Sequence, residues 1–274
     1  MAVNNPYIFG DRATDRQRLE MQNFLYSTYL RTNLARIIGP QVRKILELGC
    51  GEGQLGRVMR EVYPQAALLG IDKDADALAR ARQIAHEVGL HNAEYRLADI
   101  EAGFPPGPFD LIYAAFVLFD TRQPDRVIQQ AYRALRPGGF LWIKDIPPDY
   151  ATAINHRSYH KLAEMTDKAL AAIGAHPEIM KEVAGLMSAA GFVDIREEVE
   201  VYALGGATPE GQAMLAVQLG VFHNARAVVS KIGHVPESEI ERLYLDVCNA
   251  ALHSTKELGS EQQVNIIAQR PIAG

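Results

Sequence analysis

Three glycines and the carboxylate of Glu47, all within residues 47–53, are the part of this chain best suited to chemistry. The run Lys44–Leu48 is mostly apolar, as is typical of a strand covered on both faces, and it contains Glu47. Gly49, Gly51 and Gly53 follow it, so the backbone can turn sharply and approach a ligand, because no Cβ is in the way. A strand, a glycine turn and a helix start together indicate a site for a nucleotide-type cofactor.

The position of Glu47 predicts the charge of the ligand. A carboxylate beside the turn disfavours pyrophosphate, which binds best to bare amides at a helix N-terminus, but it suits a cationic group. We therefore expect S-adenosylmethionine. The glycine pattern Gly51-x-Gly53-x-x-Gly56 alone does not decide this, because it also fits the dinucleotide fingerprint.

Further acidic residues follow later apolar runs. The run Ala67–Asp72 ends in an acid that can accept hydrogen bonds from both hydroxyls of a ribose. Asp99 and Ile100 offer an acid and an apolar side chain for the amino group and the ring face of an adenine. Segments 109–116 and 131–145 continue this series of motifs. The whole series indicates the kind of cofactor far more specifically than any one motif does.

In this order the motifs resemble those of class I S-adenosylmethionine-dependent methyltransferases, of the branch that methylates small molecules. The resemblance covers residues 40–146 and, more loosely, the rest. It implies that the glycine turn faces the methionine part of the cofactor, that the substrate meets the methyl group near 114–116, and that 135–139 form the turn before the fifth strand. The core residues expected to bind the cofactor are Glu47, Gly49, Cys50, Gly51, Gly53, Gln54, Asp72, Lys73, Asp99, Ile100, Ala115 and Phe116.

The chain departs from this family after the fourth strand. Many relatives carry a Glu-His-Leu-like segment there, whereas residues 117–120 read Val-Leu-Phe-Asp, so no catalytic histidine is expected at that place. The Asn-Pro-Pro-Tyr motif of enzymes that methylate nucleic-acid bases is also missing after that strand. Residues 147–150 resemble it only superficially, because they follow the fifth strand.

The alternation of apolar runs with helical periodicity predicts a doubly wound, seven-stranded, mostly parallel α/β sheet, the Rossmann-like methyltransferase fold. It also predicts N-terminal helices and a helical insertion between the last two strands, broken near 233–236. Strands are expected near 43–48, 67–71, 93–97, 109–114, 139–145, 191–201 and 262–270. Helices are expected over 54–62, 75–87, 124–135 and 155–190, the last broken near 174–177.

This reading divides the chain into an N-terminal helical lid (1–40), a methyltransferase core (41–204), a helical cap (205–260) and the last strand of the sheet (261–274). We expect lid and cap to form a pocket for a mid-sized apolar or aromatic acceptor. Arg18, Gln22 and Tyr26 recur every four residues and would share one helix face. That face is either a polar surface or a lid on which Gln22 and Tyr26 contact the methionine end of the cofactor.

A general base is needed only if the acceptor keeps its proton at neutral pH. The candidates are Asp145, His156 and His223, with His160 and Tyr159 as further ones. Asp145 could instead be a helix N-cap or a substrate anchor, and His223 could simply pack or face water. His156 and His160 have a spacing that can hold a metal, but the usual third ligand is absent, so no metal is expected.

The bulk properties fit an enzyme of the cytoplasm. A net charge of −5 gives no help toward phosphate backbones, so no nucleic-acid partner is expected. No apolar run is long enough to span a membrane, the N-terminus lacks a signal-peptide pattern, and two cysteines suggest a reducing compartment. We expect a small-molecule acceptor (quinone-like, sterol-like or a secondary metabolite) and a possible homodimer. The alternatives are a nucleic-acid or protein methyltransferase, a NAD-binding dehydrogenase, or a cofactor-binding protein that does not methylate.

Overall fold

A computed structural model describes residues 12–147 and 149–272, with side chains from residue 15 onward. The chain divides into two compact units. Of the described residues, the helical unit contains 12–26, 147–177 and 200–263. The sheet unit contains the described residues 27–146, 178–199 and 264–272.

Seven strands form one sheet in the order β3-β2-β1-β4-β5-β7-β6. The pairs β1–β2, β2–β3, β1–β4 and β4–β5 are parallel, and β5–β7 is antiparallel. The strands are β1 Lys44–Leu48, β2 Ala67–Asp72, β3 Ala93–Leu97, β4 Phe109–Ala115, β5 Leu135–Lys144, β6 Val193–Gly205 and β7 Glu257–Gln269. The helices are α1 Arg12–Ile38, α2 Gln54–Val62, α3 Ala75–Glu87, α4 Pro124–Ala134, α5 Arg157–Ala172, α6 Met180–Ala190, α7 Pro209–Gly233 and α8 Glu237–Leu252.

The core of the sheet unit explains why the central strands read as continuous apolar runs. Ile45 and Leu46 of β1 and Leu111 of β4 are fully buried, as is Trp142 of β5. Strands covered on both faces have no need for alternating polar residues. The parallel order brings the carboxyl ends of β1, β2 and β4 to one edge, which is where open α/β sheets bind their ligands.

Helix starts and stops follow local chemistry. Asp74 caps α3 by accepting hydrogen bonds from the N–H groups of Asp76 and Ala77. Pro124 begins α4, where its missing N–H costs nothing. His234, in the left-handed region at φ +51°, ends α7 shortly before Pro236. These two residues account for the break between α7 and α8 inside the insertion.

The predicted fold class is confirmed, including the helical insertion between β6 and β7. The first described helix is a single one, and the part of the predicted lid before residue 12 lies outside the described residues. The prediction for β5 was wrong at its start, because the strand begins at Leu135 rather than 139. Leu135 pairs with Phe109 and Phe140 with Leu111, so the residues that read as a turn form an irregular segment inside the strand, with Gly138 at φ +75°.

No helix in the described ranges is long and apolar enough to cross a membrane.

Candidate active site

The glycine turn after β1 lies very close to neighbouring side chains at two of its positions. Gly49 and Gly53 have φ values of +62° and +76°, which favour glycine. A Cβ on Gly49 would collide with the side chain of Val117, and one on Gly53 would lie 2.7 Å from the hydroxyl oxygen of Tyr95. Residues with side chains therefore do not fit at either position without displacing a neighbour.

Glu47 is a buried carboxylate with an unused oxygen. Its side chain is 7% exposed, and Oε2 has no hydrogen-bond partner. Burial, and then the charge of Asp72, raises the pKa of Glu47 to about 8, although the backbone N–H of Leu55 acts in the opposite direction. A cation placed at Oε2 would satisfy the oxygen and stabilise the ionised form.

Asp72 ties β2 to the glycine turn. The N–H of Gly51 donates to Asp72 Oδ2 at 2.8 Å, and the N–H of Asp74 donates to Oδ1 at 2.9 Å. Cys50 adds a backbone link, because its N–H donates to the carbonyl of Ile71 at 3.0 Å. Asp72 and Cys50 are both buried, so the turn is held from the neighbouring strand.

Three further residues predicted to contact the cofactor are more exposed, namely Lys73, Gln54 and Asp99. Lys73 Nζ lies 2.9 Å from Asp120 Oδ2, and Gln54 Oε1 accepts a hydrogen bond from Arg57 at 2.6 Å. Asp99 is exposed and is turned back on its own loop. There Asp99 Oδ1 accepts the N–H of Glu101 at 2.9 Å, whereas the adjacent Ile100 is buried.

The chain leaves β4 through a sharp turn at Phe116. Ala115 is the last residue of the strand, and Phe116 has a φ of +55°, which is unusual for a bulky residue. The N–H of Phe116 donates to the carbonyl of Lys144 at 2.8 Å. Strained backbone of this kind persists only where its surroundings hold it in place.

Asp145 holds the loop that follows Phe116 in place. It is fully buried, and Oδ2 accepts the N–H groups of Val117, Leu118 and Phe119 at 3.1, 2.8 and 3.2 Å. Oδ1 accepts the N–H of Ile146 at 2.8 Å. Burial raises the pKa of Asp145 to about 6, while these four bonds act to lower it. A carboxylate bonded to four amides anchors the loop after β4. Of the three roles considered for Asp145, this one is most similar to that of a helix N-cap.

The polar face predicted on α1 lies inside the helical unit. Gln22 and Tyr26 are 9% and 8% exposed, so they do not form a polar surface. Arg18 donates to Gln22 Oε1 at 2.7 Å and binds both oxygens of the buried Asp15. Contact of Gln22 and Tyr26 with the cofactor stays a prediction.

The two predicted catalytic histidines also belong to the helical unit. His156 was expected within the helix, but it precedes α5 as the N-cap, and its Nδ1 accepts the N–H of Ser158 at 3.3 Å. His223 lies on α7 with its side chain 40% exposed, and its Nδ1 is 3.8 Å from a carboxylate oxygen of Glu241. In the part of the chain that the structure describes, no group of three or more His, Cys, Asp or Glu residues could hold a metal.

The sequence did not reveal two features of the structure. The amides of residues 117–119 carry no signal in their residue types, because backbone groups make the bonds. The buried carboxylate of Glu261 accepts hydrogen bonds from Tyr26, Gln218 and Gln263 in the helical unit, although Tyr26 is far from the other three in the sequence.

An open, mostly parallel sheet with a glycine turn after β1 and buried carboxylates at the strand ends defines a Rossmann-like, nucleotide-cofactor protein. Residues 42–191, more than half of the chain, match a family model described as "Methyltransferase domain". The chain belongs to this family. The predicted class, a class I S-adenosylmethionine-dependent methyltransferase, is confirmed, and S-adenosylmethionine is the cofactor of that class.

Individual relatives agree with this class. The chain is 35% identical over 120 residues to a trans-aconitate 2-methyltransferase of an Azoarcus species, covering 44% of this chain and 45% of that protein. It is 34% identical over 109 residues to a demethylmenaquinone methyltransferase of Thermus thermophilus, covering 39% of this chain and 48% of the relative. The matched part thus spans about half of the length of these relatives.

A solved structure, that of the [4+2]-cyclase SpnF, is similar over most of the chain. Its TM-score is 0.57 at 20% identity, covering 89% of this chain and 82% of that protein. At this identity the likeness supports the fold alone.

Proposed function

We propose that this protein binds S-adenosylmethionine at the glycine turn of the sheet unit and transfers its methyl group to a small-molecule acceptor. The observation that carries the proposal is the unpartnered Oε2 of the buried Glu47. The cofactor offers an ammonium group at its methionine end, which is the type of donor that this oxygen lacks. Pyrophosphate has no cationic N–H group to donate to this oxygen, and its charge would oppose ionisation of Glu47.

The residues present fit this cofactor. Glu47 would hold the ammonium group, and the glycine turn would let the backbone approach the methionine part. Asp72 would bind the ribose hydroxyls, with Asp99 and Ile100 at the adenine. The family resemblance supports these roles, together with the geometry of Glu47 and the turn.

The chemistry supplied by the bound cofactor is a methyl carbon activated by a positive sulfur. Such a transfer is an in-line displacement, so the protein has mainly to align donor and acceptor and to exclude water. Asp145 contributes by fixing the backbone of residues 117–119, directly after residues 114–116, where the family's substrate meets the methyl group. Four amides occupy its carboxylate, so Asp145 positions this loop and does not act as the base.

The acceptor is proposed to be a small molecule, because the two relatives above are named for small-molecule acceptors. A quinone-like, sterol-like or secondary-metabolite acceptor fits this class. The net charge of −5 supports the absence of a nucleic-acid partner, and the two free cysteines support a cytoplasmic location. A homodimer is proposed as well, and gel filtration with light scattering would test it.

Calorimetric titration with S-adenosylhomocysteine, with NAD as the control ligand, tests the proposal. We expect binding of the former and none of the latter. Asp72→Ala should weaken binding roughly 10- to 100-fold, since it removes charge-assisted hydrogen bonds. Binding of NAD without S-adenosylhomocysteine would show that the chain belongs with the dehydrogenases. Binding of S-adenosylhomocysteine without transfer to any acceptor would favour a cofactor-binding protein that does not methylate.

A further inference from the structure

A buried hydrogen-bond network surrounds the carboxylate of Glu261 inside the helical unit. Glu261 lies on β7 and is fully buried. It accepts hydrogen bonds from the hydroxyl of Tyr26 at 3.1 Å and from the side-chain amides of Gln218 and Gln263. We call these four residues the Glu261 network. Helices α1 and α7 and strand β7 each contribute to it, so distant parts of the sequence hold its geometry.

Gln263 has an unused acceptor in this network. Its side chain is 1% exposed, and its Nε2 donates to Glu261. That bond fixes the orientation of the amide, because the reverse orientation would place two acceptor oxygens against each other. Its Oε1 has no hydrogen-bond partner. Leaving a buried acceptor unsatisfied is costly, so a group that donates a hydrogen bond to Oε1 would be stabilised there.

The charges around the network disfavour an anionic group. Among the described residues of the helical unit, the buried carboxylates are those of Asp15, Glu200 and Glu261. The guanidinium of Arg18 binds Asp15 through two nitrogens, at 2.5 and 2.6 Å. The negative charge of Glu261 also reaches Tyr26, since burial and then this charge raise the pKa of the Tyr26 hydroxyl. A second carboxylate would meet the same repulsion.

The surroundings are otherwise aromatic and apolar. The rings of Tyr26 and Tyr202 meet edge to face with centroids 5.4 Å apart. Tyr159 and Phe222, both almost fully buried, meet in the same way at 5.3 Å. The sulfur of Met214 lies 3.8 Å from the hydroxyl oxygen of Tyr26. Aromatic and apolar surroundings of this kind favour an apolar framework with few polar groups.

We propose that Gln263, held by the Glu261 network, binds a small molecule within the helical unit, and that this molecule carries a neutral O–H or N–H donor on an apolar or aromatic framework. The inference goes beyond the proposed function, because it does not depend on methyl transfer.

Three fragments of similar shape test the proposal on the protein saturated with S-adenosylhomocysteine. They are 4-methylphenol, which has a neutral donor, 4-methylanisole, which lacks it, and 4-methylbenzoate, which is anionic. Ligand-observed NMR titrations give their affinities. We expect 4-methylphenol to bind at least tenfold more tightly than the other two.

A variant and a matched control locate the effect. Gln263→Met keeps the length of the side chain but removes the acceptor oxygen, and it should lower the affinity for 4-methylphenol about tenfold or more. Gln212→Met serves as the control, because the Gln212 amide bonds to the carbonyl of Gly206 in the same unit and not to the network. It should leave the affinity unchanged.

The outcomes separate this inference from the proposed function. Failure of the wild-type protein to bind S-adenosylhomocysteine contradicts the proposed function. Normal binding of S-adenosylhomocysteine overturns the inference if 4-methylphenol does not bind, or if it binds no better than 4-methylanisole. The comparison of fragments on the wild-type protein remains decisive even if Gln263→Met does not fold. An unchanged affinity in a folded Gln263→Met variant also overturns it.

Discussion

Glu47 and Asp145 are buried carboxylates near the carboxyl ends of β1 and β5, and they differ in how their oxygens are satisfied. Asp145 accepts four backbone N–H groups, whereas Glu47 has one oxygen with no partner. Burial raises both pKa values, to about 6 for Asp145 and about 8 for Glu47. At similar burial, hydrogen bonding therefore separates a carboxylate that shapes a loop from one that is left for a ligand.

The largest expected effect is on Asp145. Asp145→Asn places an NH₂ group against at least one backbone donor, the N–H of Ile146, and removes the charge that strengthens the bonds to the other three. We expect the free energy of unfolding to fall by about 3 kcal/mol. Urea denaturation followed by circular dichroism measures it.

Asp125→Asn, an exposed change in the first turn of α4, is the matched control and should stay within about 0.5 kcal/mol of wild type. A similarly small effect of Asp145→Asn would show that the four hydrogen bonds of Asp145 do not stabilise the protein, and Asp145 would then not differ from Glu47 in this respect.

Glu47→Gln should act in the opposite direction on stability. The variant removes a carboxylate that is costly to ionise, so the free protein should become more stable at pH 8. Affinity for S-adenosylhomocysteine should fall by about 2 kcal/mol, roughly 30-fold, since the charged partner of the ammonium group is lost. Calorimetry and thermal denaturation measure the two effects. Glu87→Gln on the exposed side of α3 is the control, and equal affinities of the two variants would contradict the role of Glu47.

The raised pKa of Glu47 predicts two effects of pH. In the free protein Glu47 keeps its proton up to about pH 8, while the unfolded chain loses it near the ordinary value of 4.5. Stability should therefore fall as pH rises between these values, and Glu47→Gln should remove this part of the fall. A bound ammonium group lowers the pKa, so binding at pH 7 should release up to about one proton. Calorimetry in buffers with different ionisation enthalpies counts it, and equal release by wild type and Glu47→Gln would refute the assignment.

The smallest effect is expected at His223. This side chain is 40% exposed and lies in the helical unit, so His223→Ala should change the affinity for S-adenosylhomocysteine by less than about 0.5 kcal/mol. The same titration measures it. A large loss would show that a residue outside the sheet unit supports cofactor binding as strongly as Glu47 does.

The sequence predicted most of the sheet unit because its strands are short apolar runs separated by clear helical periodicity. The start of β5 was wrong, since Gly138 and Gly139 read as a turn although the strand continues around them. The long insertion was predictable because only one later segment could return to the sheet. Proline and glycine then indicated the break between α7 and α8.

The site was less predictable where backbone groups or distant partners decide the role. Glu47 and Asp72 lie near the carboxyl ends of β1 and β2 and could be found from their places in the apolar runs. Asp145 was found as a polar residue at a strand end, but its four amide donors could not be read from residue types. His156 was expected on a helix face, and its role as an N-cap depends on where the helix begins. The spacing of Gln22 and Tyr26 predicts a shared face but not whether that face is buried.

The use of backbone amides at Asp145 has an evolutionary consequence. The loop after β4 keeps its shape through the N–H groups of residues 117–119, which every amino acid except proline possesses. Mutations there can change the side chains without removing these bonds. A lineage could therefore drift toward new acceptors by altering this loop, provided that the aspartate is retained and proline is avoided.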